Sequence, residues 1–412
     1  MKLTIDHTRI SQELDTLAAF SDAPAPAVTR IVFSDQDMRA RTWLKGLCAE
    51  AGLAIREDAV GNTFARWHGT DPSASSVGTG SHIDAIPHSG RYDGTVGVLG
   101  GLEAIRALQS AGFQPRRSIE LLLFTSEEPT RFGIGCLGSR LMSGSLTPGA
   151  AARLRDADGQ SLDDVRAHAG FGGEIESVRL AHGYYDAFVE LHIEQGPLLE
   201  QRGVPLGVVT AIAAPASLRL TIQGQGGHAG GVLMPDRHDA FLAAAEIALA
   251  LETAARSTGA IDSVATTGIC DIFPRVINGI PSQARLEADI RDIDRARRDG
   301  MIEKLEEACT RVAAARGVTI ATEFINRDEP ATCDPRIIAA LSEACEDRGL
   351  PFDRMVSRAY HDSSFMSRIC PTAMLFIPCR AGVSHRPDEF ASEDAIATGV
   401  LVLAETLARL AV

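Results

Sequence analysis

The run Ser118–Thr125, SIELLLFT, constrains this chain most. An apolar segment of strand length points to a sheet covered on both faces. Ser76–Ile83 reads as a second buried strand. Between the two, Val96–Gly112 has the spacing of a helix, with Gly112 as its stop. Strand, helix, strand in that order predicts an α/β domain with a mixed, largely parallel sheet covered by helices. Nearer the N-terminus, Asp35–Ala51 has helical spacing, and Ala54–Trp67 alternates about a turn at Gly61-Asn62.

From about residue 213 to 329 the rhythm changes. Leu218–Gly224 alternates as a strand, and Asp236–Ser257 is a long helix rich in Ala and Leu. Two strands follow, Val264–Phe273 and Gln283–Asp292, joined across Asn278-Gly279-Ile280-Pro281. Asp294–Arg316 is a second helix and Val318–Ile325 a last strand. The order β-α-β-β-α-β is that of a ferredoxin-like domain. The expected architecture is therefore an α/β domain, residues 1–212 and 330–412, interrupted by an inserted domain, residues 213–329. Thr147–Gly173 reads as a loose linker.

The net charge of -14 argues against nucleic acid as a partner, because phosphates call for a surplus of Lys and Arg. It also disfavours an anionic membrane surface. The longest apolar stretch, Ala240–Leu251, is interrupted by Glu246 and too short to span a bilayer. The N-terminal MKLTIDHTRISQELD has no apolar core of a signal peptide. Eight scattered Cys residues without a CxxC pair suit reduced thiols. Together these features predict a cytoplasmic protein.

Side chains suited to metal binding gather in four places: Gly80-Ser81-His82-Ile83-Asp84 with Tyr92-Asp93-Gly94; Thr125-Ser126-Glu127-Glu128; His192-Ile193-Glu194-Gln195-Gly196; and Ser384-His385-Arg386-Pro387. Singly each has an ordinary explanation, since a His at a strand end is commonly a satisfied polar residue and an Asp before Gly commonly a turn. Glu127-Glu128 is harder to dismiss. Adjacent carboxylates repel, and directly after a buried strand that cost points to a compensating cation or proton. Three His with two acids form a mixed nitrogen and oxygen set suited to Zn, Mn, Co or Ni rather than Ca or Mg. Five such residues exceed what one zinc site needs, so two metals sharing a carboxylate is the better count.

The motifs GSHIDAIPHSGRYDGTVGVLGGLEAI, TSEEPTRFG, LHIEQGPLLE, GGHAG and SHRP, in that order, resemble the hydantoinase/carbamoylase branch of the di-metal amidohydrolase and carboxypeptidase family. The resemblance runs from about residue 10 to the C-terminus. It implies that His82, Asp93, Glu128, His192 and His385 are metal ligands, with Asp93 bridging, and that Glu127 is the general base. Asp84 would orient the His82 imidazole. The inserted domain becomes a lid and dimerisation domain. Its His228 would polarise the scissile carbonyl, commonly from the other subunit of a homodimer. The lid's second helix and edge strand would offer the surface for that contact. Asn278 and Arg291 would bind substrate, the guanidinium gripping a carboxylate. A plain ion pair with Asp289 or Asp292 is the competing explanation for Arg291.

The resemblance implies two divalent ions, Mn2+ before Zn2+, Co2+ or Ni2+, and hydrolysis of a ureido or carbamoyl C–N bond on a small carboxylate. Two departures narrow the substrate. His228 is followed by Ala229-Gly230-Gly231-Val232-Leu233-Met234-Pro235 rather than a Thr-Thr-Pro-Met type run. Ser357-Arg358-Ala359-Tyr360-His361-Asp362 lacks the Gly that many relatives have before His-Asp. Both resemble members of the branch that act on ureidoglycolate, with allantoate and N-carbamoyl-L-amino acids as alternatives. Gln195, Tyr360 and His361 are further expected pocket residues; a buried core Tyr is an equal explanation for Tyr360. An inactive metal-binding homologue is the rival outside the enzymes, and an intact Glu127 and His228 count against it.

Overall fold

A computed structural model describes residues 2–412. The described residues divide into two compact units, one of residues 2–210, 333–355 and 361–412, the other of residues 211–332 and 356–360. The short return of 356–360 to the second unit is not visible in chain order.

The first unit is built on a mixed sheet. Its strands run in the spatial order Leu206–Ile212, Thr372–Ile377, Tyr185–Ile193, Ser76–His82, Ile119–Phe124, Thr63–Trp67, Ala54–Glu57. The four strands from Thr372–Ile377 to Ile119–Phe124 are mutually parallel, and the outer ones are antiparallel. Ile119–Phe124 is buried along its whole length, with Leu122 and Phe124 in one layer and Leu121 against the helix Thr95–Ser110 on the opposite face. That helix lies close on the sheet because it is glycine-rich: a Cβ on Gly97 would come 2.4 Å from the Leu191 carbonyl oxygen. The C-terminal helix Glu393–Leu410, capped by the Ser392 hydroxyl, packs beside it.

Thr147–Gly173 is not a loose linker. It holds two short helices, Pro148–Ala151 and Leu162–His168, capped by the hydroxyls of Thr147 and Ser161. Ala151, Leu162, Val165 and Phe171 join the core layer with Leu122 and Phe124. The apolar residues are too sparse for a periodic signal, but each is placed by its cap.

The second unit is a four-stranded antiparallel sheet ordered Val264–Phe273, Gln283–Asp292, Ala214–Gln223, Thr319–Arg327. With the helices Ala240–Arg256 and Arg295–Arg316 this is the ferredoxin-like arrangement. The first helix begins later than its apolar spacing predicts. Pro235 lies in a separate 3-10 turn, Met234–Asp236, and Asp239 caps the helix through the amides of Phe241 and Leu242. One sheet face and the two helices enclose a core of Leu218, Leu220, Ile247, Leu286, Ile290 and Leu305, among others.

Candidate metal centre

The acids and imidazoles converge at one edge of the parallel strands. His82 ends its strand level with Phe124, after which the chain turns into Thr125–Glu128. His192 lies near the end of Tyr185–Ile193. Asp93 precedes the helix Thr95–Ser110. Gly94, at φ +67°, must be glycine because a Cβ there would sit 2.4 Å from His82 Nε2. The carboxyl ends of parallel strands are where α/β sheets bind ligands.

Asp93 is the hub. Its Oδ1 is 3.1 Å from His192 Nε2 and 3.6 Å from His82 Nε2, and its Oδ2 is 3.2 Å from His385 Nε2. His385 Nε2 is also 3.2 Å from Glu128 Oε1. Two triads result, His82–Asp93–His192 and Asp93–Glu128–His385, each with ligand atoms within 4.8 Å of one another. Both use Asp93, one oxygen for each triad. Three imidazole nitrogens and carboxylate oxygens so arranged fit two borderline divalent ions bridged by one carboxylate.

The electrostatics agree with sites built for cations. Burial pushes Asp93 up, but the bonds to His192, His385 and His82 outweigh it and hold the carboxyl well below its usual range. Burial would lower His82, yet the charges of Glu127, Asp84 and Asp93 hold it well above the ordinary imidazole value. Bonds to Asp93 and Glu128 raise His385 to about 11. Burial raises Glu127, and its neighbours Glu128 and Asp362 add to the effect against the pull of His82.

Supporting contacts fix these groups. The Asp84 backbone carbonyl, rather than its carboxylate, receives His82 Nδ1, at 3.0 Å; the carboxylate is 3.6 Å away. That carboxylate instead accepts the amides of Glu127 and Glu128, at 3.2 and 3.0 Å. Glu389 does the same for the other carboxylate segment, its Oε1 accepting the amides of Tyr92 and Asp93 at 2.7 and 3.1 Å. The buried Arg30 guanidinium donates to the carbonyl of Ile83, between His82 and Asp84. His192 Nδ1 bonds the Ile193 carbonyl. Neither Arg30 nor Glu389 stands in a motif, so sequence reasoning misses both.

Gln195, expected to bind substrate, donates from Nε2 to Asp93 Oδ2 at 2.6 Å, with Ser384 Oγ on the same oxygen at 2.7 Å. It braces the Asp93 carboxylate. His361 is buried, its ring edge-on to His192 with centroids 4.6 Å apart. Glu190 has a carboxylate oxygen within 4.8 Å of both imidazoles and accepts the hydroxyls of Ser81 and Ser363.

The remaining expected residues belong to the second unit. His228 is exposed in a two-residue ladder, paired with Gly279 beside the exposed Asn278, whose carbonyl accepts the Ala229 amide. The Gly230 amide donates to His228 Nδ1 at 3.1 Å, so in the neutral ring the proton sits on Nε2. Arg291 does form the ion pair with Asp289, Nε to Oδ1 at 2.7 Å, while its Nη1 and Nη2 make only contacts of 3.4 Å. Tyr360 is half-buried. Arg291 stands opposite Pro215 and Gln283 opposite Gln223. Eight residues of strand therefore separate Arg291 from the end of the sheet that leads to His228, roughly 27 Å at the usual rise.

Known proteins share this fold. The ureidoglycolate hydrolase of Arabidopsis thaliana is 51% identical over 99% of this chain and 87% of its own length. Crystal structures of AtUAH with glyoxylate and with (S)-hydroxyglycine superpose with a TM-score of 0.89 at 50% identity, covering 99% of this chain and 98% of theirs. The N-carbamoyl-L-amino acid amidohydrolase of Geobacillus stearothermophilus is 36% identical over 99% of each chain. The family model described as peptidase family M20/M25/M40 matches residues 78–409. With its bridged pair of His and carboxylate triads, this chain belongs to peptidase family M20/M25/M40.

Proposed function

We propose that this protein is a metal-dependent amidohydrolase that cleaves the ureido C–N bond of ureidoglycolate, giving glyoxylate, ammonia and carbon dioxide. The observation that carries the reaction type is the sharing of Asp93 between two triads with Glu127 alongside, its Oε2 3.7 Å from His82 Nε2. The similarity to ureidoglycolate hydrolase over nearly the whole chain supports the substrate.

His82, Asp93 and His192 would hold one divalent ion, and Asp93, Glu128 and His385 the other. When bound, such a pair supplies Lewis acidity and brings the pKa of water near neutrality. Glu127 takes the proton of the attacking water and returns it to the departing nitrogen. Its buried setting favours holding that proton between the two events. His228 donates from Nε2 to the ureido oxygen as negative charge develops there. Arg291, oriented by Asp289 through Nε, offers Nη1 and Nη2 to the substrate carboxylate, and Asn278, which stands beside His228, adds an amide from the copy that supplies His228. Carbamate and hydroxyglycine leave; the first decays to carbon dioxide and ammonia, the second to glyoxylate and ammonia. Mn2+ is the proposed ion.

The working unit in this reading is a homodimer. A ureidoglycolate molecule is far shorter than the strand between His228 and Arg291, so one copy cannot bring both to the same substrate. If both touch it, His228 comes from the second copy. The lid's first helix and edge strand suit the contact. Phe241, Leu242 and Leu249 on Ala240–Arg256, and Val264, Ile269 and Phe273 on the edge strand, are exposed. The second helix, expected from sequence to supply this surface, has no exposed large apolar residue among the described residues. A cytoplasmic setting belongs to the same proposal and suits eight free cysteines. Among the described residues no helix is long and apolar enough to cross a membrane.

The test is ammonia release by Mn2+-loaded protein from ureidoglycolate, allantoate, N-carbamoyl-β-alanine and an N-carbamoyl-L-amino acid. Preference for ureidoglycolate is expected. Preference for another reassigns the substrate, and no release from any would leave a metal-binding protein without this activity.

A further inference from the structure

Cys136 is a costly residue for its position. It starts the helix Leu137–Ser143 in the left-handed conformation, at φ +55° and ψ +35°, and makes no side-chain capping bond. A side chain there costs on the order of 1 kcal/mol that glycine avoids. Glycines precede it at 133 and 135, so the loop tolerates them.

The thiol has a specific partner. Cys136 Sγ donates to Glu127 Oε1 at 3.5 Å, within the range for a sulfur donor. The backbone leaves little freedom in that contact. The amides of Cys136, Leu137 and Gly138 donate in succession to the carbonyls of Glu127, Ser126 and Thr125, at 2.7, 2.9 and 2.9 Å. A Cβ on Gly135 would lie 2.7 Å from the Glu127 carbonyl oxygen, so the strands of this loop touch. Ser139 Oγ closes on the Cys136 carbonyl at 3.2 Å and also donates to Asp362. Complete burial among carboxylates pushes the thiol pKa well up, so the sulfur keeps its proton and acts as donor.

Glu127 thus has one oxygen held from behind by sulfur and the other, Oε2, facing the His82 imidazole. A general base works best when one oxygen is presented in a fixed direction and loses little basicity to its support. A thiol is a weak donor and meets both needs. We propose that Cys136 is a positioning residue for Glu127, its S–H fixing Oε1 so that Oε2 points at the reacting water. This rests on the reading of Glu127 as general base.

The experiment uses full-length, Mn2+-loaded Cys136→Gly, Cys136→Ser and Glu127→Gln proteins. Glycine suits the left-handed backbone, so Cys136→Gly removes the thiol without a folding penalty at that position. Its kcat should fall at least about tenfold, the scale of a misplaced catalytic group, with KM and metal content within about twofold of wild type. Cys136→Ser restores a donor and should recover most of kcat. Wild-type kcat in Cys136→Gly overturns the proposal. So does joint loss of metal and kcat, which would mark a structural role, or a serine variant no better than glycine. If Glu127→Gln alone retains full activity, the general-base reading falls, and the separate behaviour of the Cys136 variants shows which idea failed.

Discussion

Asp84 grips Glu128 by its backbone, the Asp84 carboxylate accepting the Glu128 amide at 3.0 Å and the preceding amide at 3.2 Å. The residue two places after one expected ligand therefore sets the direction of another that follows a different strand. Asp84→Asn would set an amide N–H against a backbone N–H. Metal affinity should fall about 10–100-fold, the usual range for a group that orients ligands. Competition with a fluorescent chelator measures it, and unchanged affinity would contradict this role.

Glu127→Gln should keep both ions and lose at least about a hundredfold in kcat. Metal analysis and steady-state kinetics on the same preparation decide it, since a variant turning over at a near-normal rate removes Glu127 from proton transfer.

Removal of metal by a chelator should abolish activity, and Mn2+ should restore it better than Mg2+, which favours all-oxygen sites. Full turnover at a metal content near zero would refute metal dependence.

Metal uptake should release protons. The metal-free His385 is held up to about 11 by Asp93 and Glu128, so near neutrality it carries a proton that an ion must displace. Affinity should therefore rise with pH and weaken as pH falls. Metal titration in weak buffer measures the release, and an uptake that frees no proton between about pH 6 and 8 would contradict the assignment of His385 as a ligand.

Subunit mixing tests the origin of His228. His228→Ala and Glu127→Gln homodimers, each inactive, should regain activity under exchange. About half the dimers become mixed and each has one intact site of two, so activity climbs towards a quarter of wild type. Proven exchange without recovery would return His228 to its own chain.

Much of this was legible in sequence because it follows local rules. Strand Ser118–Thr125 was read to within a residue at each end, and the five expected ligands meet at one sheet edge. What escaped was long-range. The bond from Gln195 to Asp93 spans 102 positions. Glu389 reaches the Asp93 amide across 296 positions, and its neighbours in sequence carry no sign of this. The sequence places Asp84 beside His82, but no pattern tells which of its atoms makes the contact, and it is the backbone carbonyl.

Ser126, Cys136, Gln195 and His385 all carry side chains on backbone with φ between +54° and +60°. Each lies in a segment that builds the candidate metal cluster or the proposed base. Here fold and chemistry pull in opposite directions. Variants selected for heat resistance alone should drift towards glycine or asparagine at these four places, while selection for turnover should hold them. A thermostable descendant of this enzyme is thus expected to gain its stability elsewhere, and these four positions are the ones a stabilisation campaign should leave alone.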